Sequence, residues 1–417
     1  MIGARTCSNA VAAAIVLALV PQAFGEEGDR GDVHASTRVY AQPAPSDWLL
    51  VLTPTVTGKA AVRPWLRFEA SWTADVVTGA TPRTYGRPDV VTAATPFFEL
   101  RNVLGAGAEV RAGPATITAG YAYGTEHDYR AHLIRAGLKL DLFNHNTTIA
   151  ASYSHSFDSV CDLDQAALPV TLRQPLDTST GCFGGAATLT EESLDIDAAE
   201  LSIAQTLSPR WVGTLIGSYQ HLNGFQSNPY RRVRLNNGIQ QAQESHPRVR
   251  DRGAVTARLR YAVAPLRASL GLDLRLYRDT WGVQSLTAEA SWEQPFHRAR
   301  PAWRFAVRAR GYVQSSAFFY RDAGTPDSYE NKGPVGLYFT ADQELAPIAD
   351  LLLGARFTHT SSRPPEHRIW RMFTALETAI ALDWVKIFAL SPDPPNVERT
   401  QGWASALVLG LSATGGF

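Results

Sequence analysis

From Ile134 to Leu142 the chain alternates without a break. Ile134, Ala136, Leu138, Leu140 and Leu142 fall on one side, and Arg135, Gly137, Lys139 and Asp141 on the other. Successive side chains of a strand point to opposite faces, so this stretch reads as a strand with one apolar and one polar side. After Asn144, His145 and Asn146, residues suited to a tight turn, the pattern resumes with Ile149, Ala151 and Tyr153 against Thr148, Ser152 and Ser154. The unit is a hairpin. A lone hairpin is not stable in water, so whatever repeats it must join it.

The same alternation returns in Leu66–Trp72, Ile117–Tyr123, Ala199–Ile203, Trp211–Tyr219, Val255–Tyr261, Leu266–Leu276, Leu286–Trp292, Trp303–Ala309, Leu337–Phe339 and Leu351–Phe357. Trp370–Trp384 reads equally as one long strand, two strands or a helix. A soluble chain of 417 residues usually divides into domains. Here no charge run, Pro-rich linker or change of composition divides it, and 26–417 reads as one unit. The formal net charge of 0 gives no ground for a nucleic-acid partner.

Arg5, the apolar run Val11–Val20, Pro21, Ala23-Phe24-Gly25 and then Glu26 and Glu27 have the layout of a cleavable secretory signal over 1–25. Cys7 would leave with it, and Cys161 and Cys182 are then a pair in an exported chain, expected as a disulfide that closes a loop. Beyond the signal no apolar stretch approaches the ~20 residues of a membrane helix. Short links near Gly113-Pro114, Asn144, Pro209, Pro265, Pro295–Pro301 and Pro347 alternate with long ones at Asp75–Phe98, Asp158–Ser193, Asn223–Arg250 and Tyr320–Gly333. Short periplasmic turns and long external loops are the plan of outer-membrane barrels, and only helices and closed barrels satisfy the backbone in lipid. The expected fold is therefore all-β, a transmembrane antiparallel barrel of about 16 strands, give or take about two, in the bacterial outer membrane. Reaching that number needs a short strand near Thr37–Tyr40. Leu407, Leu409, Leu411 and Ala413 keep one phase down to Phe417. A terminal aromatic in phase with the apolar face resembles the signal read by the barrel assembly machinery.

The residues also resemble a broadly distributed proteobacterial outer-membrane barrel family with no assigned function. The resemblance rests on Asp75-Val-Val-Thr-Gly-Ala-Thr-Pro82, Asn228-Pro-Tyr-Arg-Arg-Val-Arg234, Tyr277-Arg-Asp-Thr-Trp-Gly282, and Ala341-Asp342 with Glu344-Leu345. It implies a barrel, and it implies an envelope redox setting, since members are often encoded beside flavin-transfer and thioredoxin-like proteins.

The ten histidines show no metal-ligand spacing, and no cofactor is implied. His127-Asp128, and His155 with Asp158, are the nearest to catalytic pairs, but polar histidines at strand ends are common and the chain reads as a non-enzyme. The polar faces say more. By strand phase, Arg135, Lys139, Arg258, Arg260, Arg267, Arg275, Arg304, Arg308, Arg310 and Arg356 point inward, against Asp141, Asp273, Glu289 and Glu293. Such a basic excess would favour anions in a water-filled lumen. The same charges could instead be a structural ladder of cross-strand pairs. Three functions follow: a pore for small solutes, anions included; a non-conducting barrel that binds a periplasmic or lipoprotein (redox) partner; or, least favoured, a rim hydrolase with a Ser or Asp brought beside His127 or His155. Outer-membrane lipid surrounds the barrel in every case.

Overall fold

A computed structural model describes residues 31–43, 48–79, 97–176, 189–296, 302–322, 326–361, 375–390 and 403–416. The chain begins with β1 (Gly31–Pro43), β2 (Trp48–Arg63), β3 (Leu66–Gly79), β4 (Phe97–Ala112), β5 (Ala115–Thr125) and β6 (Tyr129–Leu142). It continues with β7 (Thr147–Leu163), β8 (Leu189–Ser208), β9 (Trp211–Gly224), a short hairpin β10 (Arg232–Leu235) and β11 (Gln240–Gln243), and β12 (Val249–Val263). It ends with β13 (Ala268–Asp279), β14 (Gln284–Pro295), β15 (Ala302–Gln314), β16 (Ile348–Ser361), β17 (Ala375–Ala389) and β18 (Trp403–Gly416). Among the described residues, all of these except β10 and β11 form one closed barrel of sixteen strands, each paired antiparallel with its sequence neighbour, and β1 closes the ring on β18.

The alternation sets which face is which. On β13, Leu272, Leu274 and Leu276 are about half exposed on the outer wall, while Asp273 and Arg275 lie on the other face. Exposed apolar side chains in one phase around the ring are what a wall in hydrocarbon requires. At the end with the short turns, outward aromatics gather in pairs, Trp211 with Tyr261 and Trp303 with Phe357. Tyr121, Tyr153 and Tyr219 stand outward toward the other end. These are the girdles of a membrane barrel.

The structure corrects the expected boundaries in three places. The short strand near Thr37–Tyr40 is the middle of a 13-residue strand. The ambiguous stretch before Trp384 yields one strand, β17, starting at Ala375, and its first part lies outside the described residues. Leu337 and Phe339 do not form a barrel strand: 315–347 is a single connection from β15 to β16, with a helical turn at Tyr329–Lys332. Pro347 therefore ends a long loop and is not a short turn of its own. The alternation of two residues is too brief to make a strand when Phe339 is fully buried among loop residues. Residues 1–25, Cys182 and Phe417, on which the expected signal, disulfide and assembly signal rest, lie outside the described residues.

Candidate functional site

Two charged regions stand out, an inner wall and a cluster beneath the loops. The wall follows from register. Arg258 faces Asp273, Asp273 faces Glu289, and Glu289 faces Arg310 across β12 to β15. Asp273 is paired with Arg260 and lies 3.7 Å from Arg258. Arg310 reaches Asp350 at 3.2 Å, Lys139 reaches Asp141 at 2.9 Å, and Arg304 lies 2.6 Å from Glu377 and 3.6 Å from Glu293.

Some pairs skip strands, and glycine makes this possible. Arg135, Gly120, Gly107 and Glu69 are consecutive partners across β6, β5, β4 and β3. The Arg135 side chain lies over both glycines to come within 3.3 Å of Glu69, and a Cβ on Gly120 would stand 2.6 Å from its Nε. Arg308 crosses Gly354 in the same way to reach Asp383 at 2.6 Å; a Cβ there would stand 2.9 Å from Arg308. Sequence reading missed Glu69, Asp350, Glu377 and Asp383, so the basic excess it found shrinks. Phase alone would have placed Glu69 and Asp350 inward, but the partners two or three strands away are visible only once the order of strands is fixed.

Three predicted residues stand apart from this network. Arg267 is not on a strand: it ends the 3-10 turn Ala264–Leu266 with a left-handed φ of 54°. Arg275 and Arg356 lie in the inward phase, exposed, and among the described residues neither makes an ion pair. The wall is also wet. Arg135 and Arg258 keep half of their side-chain surface accessible although they point away from lipid. A lumen packed with side chains would cover them.

At the opposite end from the short turns, three connections fold together. Leu176 donates its N–H to Pro229 O, Gln243 N–H to Arg173 O, and Ser245 and Phe339 exchange backbone hydrogen bonds at 3.0 and 2.9 Å. Two apolar clusters result, Trp281, Val283, Phe319 and Leu345 in one, and Val233, Leu235, Tyr329 and Phe339 in the other. The cap is tied to the barrel by inward residues: the Gln314 amide donates to Glu344 O and Ala346 O, and the Gln243 amide to Asp162.

Between the clusters lies Glu244, whose side chain is fully buried. It accepts hydrogen bonds from Asn228 N–H at 2.8 Å and Thr340 Oγ1 at 2.7 Å. His246 Nε2 stands 3.4 Å away and Arg231 3.8 Å, and Arg231 also pairs with Asp342. Burial alone would raise the Glu244 carboxyl, but His246 and Arg231 outweigh it and hold the group at about 2. Asp342 is pushed up by burial, and Glu344 by the charge of Asp342 and then by burial. His246 packs its ring edge on Trp281, over which Arg250 lies at 4.0 Å while paired with Asp279. The quoted motifs Asn228–Arg234, Tyr277–Gly282 and Ala341–Leu345 thus meet in this one place. Their spacing in sequence gave no sign of it.

Of the two expected pairs, His155 with Asp158 does not assemble, while His127 and Asp128 lie side by side. His155 and Asp158 point to opposite faces of β7: His155 lies 2.8 Å from Asp197 on the outer wall, while Asp158 takes the Tyr129 and Ser156 hydroxyls. His127 lies 3.7 Å from Asp128 and 3.2 Å from Tyr230 Oη. Among the described residues no Ser hydroxyl bonds either ring. Cys161 is fully buried against Leu176.

A closed ring of amphipathic strands with aromatic girdles and an inner polar wall is an outer-membrane β-barrel. The chain belongs to the family described as "Protein of unknown function (DUF3570)", whose model matches residues 24–366. No curated protein matches it in sequence. Among solved structures it is similar to a bacterial polysaccharide outer membrane secretin, with TM-score 0.51 and 10% identity over 94% of this chain and 100% of that one. Pseudomonas aeruginosa OccK2 (OpdF), in complex with glucuronate, gives 0.40 and 9% over 93% and 98%, and OccD3 (OpdP) of the same organism 0.42 and 9% over 93% and 91%. At these identities the likeness is one of fold.

Proposed function

We propose that the protein is an outer-membrane channel for small hydrophilic solutes, with a preference for anions to which Arg275 and Arg356 contribute. The observation that carries this is the half-exposed inner wall: charged side chains that face away from lipid yet stay accessible need water beside them. Most of the arginines read as inward from the sequence are held in ladders and serve structure, while Arg275 and Arg356, like Arg38 and Arg67 on β1 and β3, make no ion pair among the described residues and keep charge to offer a passing solute. Single-channel recording in a planar bilayer tests the reading. Steady conductance is expected, with a reversal potential in a salt gradient that moves toward cations in the Arg275→Gln/Arg356→Gln variant.

The cap favours a second reading. Loops folded over one mouth suit a non-conducting barrel that holds a periplasmic or lipoprotein partner, and absence of conductance in the wild type would select it. A bond from Cys161 to Cys182 would tether 164–188 to β7 at the edge of the cap; peptide mapping that found Cys161 as a free thiol would remove that part.

A further inference from the structure

The lipid-facing wall is not uniform. Between β8 and β13 it carries a shallow depression of about 1190 Å³ bordered by Leu201, Tyr219, Val255 and Leu276. Its floor is glycine: Gly217 lies between Leu201 and Val255 in register, and Gly253 between Tyr219 and Arg278. Neither glycine is required by contacts inside the protein. A Cβ on Gly217 would meet nothing within 4 Å, and one on Gly253 only Arg278 O at 4.0 Å. On a wall that faces hydrocarbon, atoms that could fill such a hollow come from lipid, and a hollow left empty forfeits its dispersion contacts.

The upper rim of the depression is polar. Arg278 stands on the outer face two residues beyond Leu276, exposed, and among the described residues it makes no ion pair. The nearest outward acid, Asp251, is already engaged, accepting from Tyr219 Oη at 2.6 Å and lying 2.8 Å from His221 Nδ1. The same Tyr–His–Asp unit occurs one hairpin earlier in Tyr153, His155 and Asp197, so that unit belongs to the membrane boundary in general. The glycine floor and the unpaired arginine are what set this place apart.

We propose that this depression binds one phosphate-bearing lipid, with an acyl chain over Gly217 and Gly253 and the phosphate at the Arg278 guanidinium. A guanidinium presents paired donors that match phosphate oxygens, and at the membrane boundary an outward arginine costs little.

The full chain in detergent is heated with phosphatidylglycerol, with diacylglycerol of the same chains, or with inorganic phosphate, and the unfolding temperature is read from heat-modifiable mobility. Phosphatidylglycerol is expected to raise it for the wild type, and the other two are not. Gly217→Leu, which fills the hollow, and Arg278→Gln should each lose at least half of the shift, and Arg278→Lys should keep part of it. An equal shift in wild type and both variants would mean ordinary surrounding lipid and would overturn the site. So would no shift in the wild type, or a shift with inorganic phosphate alone. Arg278→Gln lies on the surface and keeps the test available if Gly217→Leu does not fold.

Discussion

The inner wall and the cap use the same residue types in opposite surroundings. Arg308 and Asp383 on the wall share their pair with water, since Arg308 keeps 42% of its side-chain surface. Glu244 under the cap keeps none. Exposed pairs contribute between zero and about 1 kcal/mol each, whereas removing one partner of a buried ionic group costs about 3 to 5 kcal/mol because the other charge is stranded. Wall charges are therefore individually expendable and set the lumen's character together, while the cap holds a fully buried carboxylate whose partners are stranded if it is removed.

The largest expected effect follows directly. Glu244→Ala should release the cap, seen as fast hydrogen exchange in 225–248 and 315–347 while heat-modifiable mobility of the barrel stays. Unchanged exchange would place Glu244 on the same footing as a wall charge. Next, Gly354→Val should cost about 1 to 3 kcal/mol in denaturant unfolding, because the new side chain collides with both Arg308 and Asp383 and forces the packed wall to shift, a cost beyond the loss of their pair. Gly311→Ala, where a Cβ meets nothing within 4 Å, is its neutral control.

A third effect concerns pH. Glu244 has a depressed folded pKa, so its contribution is present above its ordinary value and is lost as pH falls toward about 2. Asp342 and Glu344 are raised, so theirs is present below their ordinary values and is lost as pH rises through the raised ones. Acidification from neutrality should first tighten the cap and then release it near the bottom of the carboxylate range. Nitroxides on Ile239→Cys and Leu337→Cys, both exposed on separate loops, should report a narrower and then a broader distance distribution; a monotonic opening would contradict the signs. The smallest effect is Arg308→Gln, no more than about 1 kcal/mol and shrinking further with added salt.

The wall was legible in the sequence because alternation needs only a residue and its neighbours but one. Leu270, Leu272, Leu274 and Leu276 declare their face without any knowledge of the other strands. Pairing is another matter: that Arg135 finds Glu69 across two glycines depends on four strands in a fixed register. Asp383 was hidden because Trp370–Trp384 fits several periods at once. The cap was least legible. Phe339 reads as part of a strand beside Leu337, yet tertiary packing, not periodicity, places it against Tyr329 and Val233. Arg267 shows the converse limit, a residue in phase with a strand that had not yet begun.

The seam between β1 and β18 joins Asp32 to Gly416 and His34 to Thr414, partners almost the whole length of the chain apart. No local growth of hairpins can make that contact, since it waits for every intervening strand. Until it forms, the sheet has two free edges, and unpaired backbone groups cannot be left in hydrocarbon. Insertion and ring closure must then be one event, with β1 held in reserve from the moment it is made. Closure is a meeting of first and last, a contact of the greatest sequence separation in the barrel, and contacts of that kind are the slowest to form.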